Sequence, residues 1–236
     1  MTSRPISKTR MLGLVKAFDW AAVERGLAET PGLLAWRDER GRSWLHICCA
    51  TLPKTAAQVQ ASVRTADVLL KAGLDIDEAA FTEDAWRATP LWCAIGWGCN
   101  LALARHLLER DCDPEHCLWA AQFARDPEAI RLLVAHGASI DPVHEGGTPF
   151  LEAIRWSHFE EAKVFLELGA DVNARDVKGD TALHLMLKKA SDKTRFRMLI
   201  ARGARGDIPD RAGQTARDIM RRKKDPDYRA MAEELA

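Results

Sequence analysis

One motif recurs along the chain at a nearly constant spacing, and that spacing restricts the fold more than any other feature. Gly147-Thr148-Pro149-Phe150-Leu151-Glu152-Ala153 aligns with Asp180-Thr181-Ala182-Leu183-His184-Leu185-Met186, the two threonines lying 33 residues apart. A further copy, Asp210-Arg211-Ala212-Gly213-Gln214-Thr215-Ala216, follows 34 residues later. Upstream stand Thr89-Pro90-Leu91-Trp92-Cys93-Ala94 and Asp38-Glu39-Arg40-Gly41-Arg42-Ser43-Trp44-Leu45-His46. Leu168-Gly169-Ala170-Asp171-Val172-Asn173 likewise matches Arg202-Gly203-Ala204-Arg205. A period of about 20–50 residues marks a stack of small units, none of which buries its apolar face alone.

Each recurring residue type has a local reason. Thr148 before Pro149 offers an N-cap hydroxyl followed by a residue suited to the first helical turn. Ala94, Ala121 and Ala153 are small, as close stacking of neighbouring helices requires. Leu69-Leu70, Leu107-Leu108, Leu132-Leu133 and Val164-Phe165-Leu166 form the apolar stripe of a second helix. Gly73, Gly137, Gly169 and Gly203 follow that helix, where a left-handed stop suits glycine, and Gly41, Gly179 and Gly213 suit a hairpin turn.

In register, these features resemble the ankyrin repeat, D-x-x-G-x-T-P-L-H-x-A-A with a second helix ending L-L-x-x-G-A-D, over about residues 8 to 235. The whole chain looks like the small proteobacterial ankyrin-repeat proteins, a group without a common activity. The resemblance implies an all-α solenoid of stacked helix-turn-helix units joined by short β-hairpins or loops, about six units with both caps. One domain over 1–236 is expected: a flexible N-terminus (1–8), an N-terminal capping unit (9–37), four repeats (38–209) and a C-terminal capping unit (210–236). Leu45 to Leu91 is 46 residues, which places an insertion near 52–63, expected as a surface excursion of weak helix or loop. Leu91 to Leu118 is only 27 residues, so the next repeat is short, lacks the Thr-Pro turn and opens on a clipped loop, Asp113-Pro114-Glu115-His116.

Composition narrows the function. Lysine plus arginine and aspartate plus glutamate both number 34, so the chain has no basic excess for nucleic acid. No apolar run approaches the roughly 20 residues of a membrane span. No signal-peptide pattern follows Met1–Arg10, and the six cysteines lack a disulfide-framework spacing, which points to reduced thiols and a cytoplasmic location. A monomer is expected.

Leads toward chemistry are few. His46 and His184 occupy the Thr-Pro-Leu-His position, where the resemblance implies that they brace the neighbouring turn; a general base would need a nucleophile or acid beside it. Cys112, Asp113, His116 and Cys117 are the one tight cluster of metal-ligand types, but a zinc site pairs such a cluster with a second one at matched spacing. Gly96-Trp97-Gly98 lacks the further glycine and lysine of a phosphate loop, and Arg221 to Lys224 reads as a solvated helix face. No catalytic residue, cofactor or metal is expected.

The chain has eight tryptophans and one tyrosine. By the resemblance, the residues that follow the alanine pair point into the concave groove: Gly96 and Trp97, Phe123, Arg155 and Trp156, then Lys188 and Lys189. Hairpin fingers add Arg42, Trp86, His144, Glu145, Val177 and Lys178. Exposed tryptophan beside arginine and lysine matches the residue types that dominate interface energies, whereas rings packed between helices would be ordinary core. The expected function is a non-catalytic scaffold that binds a protein or peptide partner through the concave face. The alternatives are an immunity or inhibitor protein with a dedicated toxin or enzyme target, or a metal-binding or enzymatic protein that uses the Cys112–Cys117 cluster.

Overall fold

The computed structural model describes residues 5–81, 87–144, 146–189 and 191–235. Apart from isolated bridges, its regular elements among the described residues are helices, and its chain divides into two compact units, residues 1–124 and 125–236.

Unit 1 holds α1 (Lys8–Lys16), α2 (Trp20–Glu29), α3 (Trp44–Ala50), α4 (Ala56–Lys71), α5 (Pro90–Gly96), α6 (Leu101–Leu108) and α7 (Cys117–Ala124), with a short tighter turn at Pro31–Ala35. Its helix starts follow from side-chain caps: Ser7, Asp19, Thr55, Thr89 and Asn100 each accept a backbone N–H from the first turn they precede. Helix α3 packs on α5 and α5 on α7, with Ala94 and Ala121 fully buried where the helices close. Leu45, Leu69, Leu91, Leu103 and Leu107 are fully buried. Trp44 is buried too; its indole N–H donates to the Leu33 carbonyl (2.8 Å) and its ring stacks on Trp36 at 3.8 Å.

Unit 2 holds α8 (Pro127–Ala135), α9 (Pro149–Arg155), α10 (Phe159–Glu167), α11 (Ala182–Lys188), α12 (Lys193–Ile200), α13 (Ala216–Arg221) and α14 (Pro226–Glu234). Helix α10 packs on α8 and α9, α11 on α9 and α13, and α14 on α12 and α13. Phe150, Phe165, Ile130 and Phe196 fill the centre, each fully buried. The last pair is polar outside: Arg221 pairs with Glu233 at 3.2 Å, and Lys193 sits between Asp225 (2.5 Å) and Asp227 (2.8 Å).

Between residues 38 and 209 the described residues hold ten helices, α3 to α12, where four two-helix repeats were expected. The hairpins shrink to single antiparallel bridges, Ala80 with Ala88, His144 with Gly147, and Pro209 with Thr215. A left-handed residue recurs between consecutive helices: Phe18 (φ 58°), Cys99 (44°), Arg125 (56°) and Ser157 (61°), none of them glycine. Such backbone costs side-chain residues about 1–3 kcal/mol and persists where packing over-determines it.

The segment expected near 52–63 as a surface excursion of weak helix or loop is helix from Ala56 onward. Residues 56–63 are the opening turns of the 16-residue α4, so the extra length extends the second helix instead of making a loop. Thr55 accepts the N–H of Gln58 (3.2 Å), and the Gln58 side chain accepts the N–H of Lys54 (2.7 Å), a reciprocal cap that starts the helix.

Candidate functional site

The residues expected at a binding surface gather at the ends of the first helices and at the hairpins, and the two units treat them differently. In unit 1, Trp97 follows α5 and is half-buried. Its ring meets Trp92 edge-on (4.8 Å between centroids, 74°) and Phe81 likewise (5.4 Å, 67°). Gly96 makes this possible, since a Cβ there would come within 3.0 Å of the Trp92 ring. Phe81 is held in left-handed backbone (φ 54°) with its N–H on the Arg40 carbonyl, and the guanidinium groups of Arg40 and Arg42 lie 5.4 and 5.7 Å from its ring centre. Arg42 also pairs with Asp38 at 2.7 Å. Burial pushes the Asp38 carboxyl up, but hydrogen bonds from Arg42 and Arg40 outweigh it and leave the group below the usual carboxylate range. Phe123, in the last turn of α7, is 64% exposed. Trp86 and Glu145 lie outside the described residues.

In unit 2, Trp156 follows α9 and is 65% exposed. Its indole N–H donates to Glu152 Oε2 (3.2 Å), while Arg155 donates to Glu152 Oε1 (2.6 Å), Asp176 Oδ2 (3.0 Å) and the Gly146 carbonyl (3.0 Å). Arg155 therefore ties the 144–147 hairpin and the 176–180 turn to the end of α9. Lys188 pairs with Asp180 at 2.5 Å, and Lys189 donates to the Arg155 carbonyl and lies 3.4 Å from Ser157 Oγ. His144 is half-buried and bridges to Gly147, and Lys178 stands exposed at a hairpin tip. Arg155, Lys188 and Lys189 are thus engaged within the fold as well as facing solvent. The sequence offered no sign of Phe81, Glu152 or Asp176 as participants, because their partners come from hairpins and helix ends that only the folded chain brings together.

The two motif histidines brace turns. His46 Nδ1 accepts the Ser43 N–H (3.1 Å), which leaves its Nε2–H to the carbonyls of Glu78 (2.9 Å) and Ala88 (3.2 Å). Burial holds its pKa below the ordinary value for histidine. His184 repeats this with the Thr181 N–H (3.2 Å) and the Gln214 carbonyl (3.1 Å). Each Nδ1 also meets the hydroxyl of its own cap residue, Ser43 Oγ at 2.8 Å and Thr181 Oγ1 at 2.9 Å, and both hydroxyls are buried. Among the described residues no group of three or more histidine, cysteine or acidic side chains is placed to hold a metal. Cys112 and Cys117 are buried, and His116 instead turns outward and stacks on Trp119. Burial pushes the thiols of Cys48, Cys93 and Cys112 up to about 12 and raises those of Cys49 and Cys117 as well, the opposite of an activated thiolate. Among the described residues no helix is long and apolar enough to cross a membrane.

Comparison with known proteins puts this arrangement in a class, the proteins built of stacked helix pairs. A family model for ankyrin repeats in many copies matches residues 151–200. The chain is 32% identical over 146 residues to potassium channel AKT2/3 of Arabidopsis thaliana, which is 57% of this chain and 18% of the channel. It is 31% identical over 105 residues to mouse protein phosphatase 1 regulatory subunit 27, 44% of this chain and 64% of that one. The chain thus spans less than two thirds of these curated relatives. Its fold is similar to the ankyrin repeat domain of Bcl-3 (TM-score 0.74, 20% identity, 95% of this chain and 96% of that one). It is also similar to that of human ASB11 (TM-score 0.71, 22% identity, 98% and 99%). Residues 151–200 thus match the ankyrin-repeat family, and the chain has the all-α ankyrin-repeat solenoid fold.

Proposed function

We propose that the chain is a non-catalytic protein-interaction module, one continuous solenoid that acts as a monomer and binds a protein or peptide partner through the face made by its hairpins and first-helix ends. The single observation that supports this reading best is Trp156, a large ring left 65% exposed yet pinned by a hydrogen bond to Glu152. A soluble protein gains nothing in stability from such a ring, and tryptophan is over-represented among residues that anchor interfaces. The mouse relative is by its name a regulatory subunit of a phosphatase, and a binding role agrees with that. The hydroxyls beside the bracing histidines, Ser43 and Thr181, are buried in helix caps, which agrees with a non-catalytic role.

Affinity capture from native extract, with full-length wild type and Trp156→Ala side by side, tests the reading. A partner held by the wild type and released by the variant, at unchanged melting temperature, is the expected result. Equal capture by both proteins would remove Trp156 and the face around it from the binding surface.

A further inference from the structure

The hairpins of unit 2 turn their aspartates inward and their cations outward. Asp176 Oδ1 accepts the backbone N–H groups of Lys178 (2.7 Å) and Asp180 (2.9 Å), and its other oxygen takes Arg155. Asp210 Oδ1 does the same for Ala212 (2.8 Å) and Gln214 (2.9 Å). The Asp180 side chain is 2% exposed while its partner Lys188 is 53% exposed; Asp176 is 3% exposed against 34% for Arg155. Every carboxylate of this set is thus used inside a turn or lies beneath a cation. Arg175, Lys178 and Arg211 meet the solvent at the tips, all exposed. They belong to one surface: the Arg211 N–H bonds the Lys178 carbonyl (3.0 Å), and the Arg175 guanidinium reaches the Pro209 carbonyl (2.8 Å).

Apolar side chains stand among these cations. Val177 is 50% exposed beside Lys178, and Val143, in the loop that leads to the Arg155-bound Gly146, is 80% exposed. Lys189 brings its ammonium group to the carbonyl of Arg155, immediately before Trp156. The indole is held on Glu152 and needs little further ordering, so less conformational freedom is lost when a partner lies on it.

We propose that this face of unit 2 receives an acidic peptide segment, with an aromatic or aliphatic side chain laid on Trp156 and flanking carboxylates paired with Lys178 and Lys189. The inference rests on the interaction reading above and gives it a partner chemistry. Charge complementarity favours the acidic segment. Nucleic acid fits less well, because the chain carries 34 basic against 34 acidic residues and the exposed valines offer nothing to a phosphate backbone.

Selection of a displayed random 12-residue peptide library on the immobilised full-length chain reads the partner chemistry directly. The expected pool is enriched in aspartate and glutamate around an aromatic or aliphatic residue. Its peptides should bind roughly tenfold or more weakly to Trp156→Ala and to the Lys178→Glu/Lys189→Glu double variant, and more weakly as salt is raised. Both variants should keep the wild-type melting temperature. A neutral or basic pool whose binding still depends on Trp156 would overturn the acidic partner and leave the interaction reading standing. No enrichment, or a pool indifferent to all three substitutions, would overturn the inference, as would a thymidine 12-mer that displaces the selected peptides at lower concentration than they bind.

Discussion

Trp97 and Trp156 occupy the same register, one residue past a first helix that opens on Thr-Pro, yet they end in different surroundings. In α5 the positions before Trp97 are Cys93 and Gly96; in α9 the corresponding positions before Trp156 are Glu152 and Arg155. Glycine leaves space for the Trp92 ring, and Trp97 folds onto that ring and onto Phe81. Glutamate and arginine fill the same space with an ion pair, and Trp156 rests on its edge through one hydrogen bond. What a repeat does with a tryptophan at this position is therefore decided one helical turn earlier. A small, apolar turn folds the ring into the structure, and a charged one holds it out to solvent.

The largest disturbance comes from removing the end of unit 2. Deleting residues 210–236 strips α13 and α14 from α11 and α12 and uncovers Phe196, Leu199 and Met186, all fully buried. Aggregation on size-exclusion chromatography is expected, since solenoid ends need a polar outer face. A monomeric product of equal stability would show that unit 2 does not depend on that pair.

The next two substitutions separate the two kinds of ring support. Trp97→Ala should cost about 2–3 kcal/mol in denaturant unfolding, less than the roughly 3–5 kcal/mol of a fully buried aromatic because the ring is half-exposed. A loss under about 0.5 kcal/mol would mean that the cluster with Trp92 and Phe81 holds nothing in place. Arg155→Ala should cost about 1–2 kcal/mol, as the buried Asp176 carboxylate loses its charged partner while keeping two backbone donors. That loss should shrink in high salt, which the Trp97→Ala loss should not.

Acidification should act on unit 1 through His46. Its folded pKa lies below the unfolded value of about 6.5, so the unfolded chain binds the extra proton first. Stability is complete above about pH 6.5 and declines as pH falls toward the folded pKa. His46→Asn should flatten that part of the profile, and a profile unchanged by the substitution would contradict the assignment. The smallest effect belongs to Trp156→Ala, within about 0.5 kcal/mol of wild type, as for surface changes generally. A melting temperature that drops as far as for Trp97→Ala would abolish the contrast.

Much of the helical scaffold was readable in the residues. Thr89, Thr148 and Thr215 cap the helices they precede, and Thr181 does so in a capping box with His184. Gly137 and Gly169 end theirs at φ 95° and 99°. The start of α4 was readable as well, in Thr55-Ala56-Ala57-Gln58, a capping pattern ahead of a good helix-forming stretch. The surroundings of the binding residues were not readable. Arg155 finds Asp176 21 residues away and Arg37 finds Glu78 41 away, separations that no local pattern encodes. Trp97 and Trp156 look alike in sequence because the residues that part them, Gly96 and Arg155, act through the space they leave or fill.

All six cysteines belong to unit 1, five of them buried and Cys99 exposed. The protein therefore carries its own clock for one half of the chain. A thiol reagent such as Ellman's should take up one equivalent at once, from Cys99, and the other five only as fast as unit 1 opens. Unit 2 carries no cysteine, so the slow uptake reports the opening of unit 1. The same distribution makes oxidation one-sided: a chain caught with unit 1 open exposes five further thiols, and unit 2 has none to oxidise.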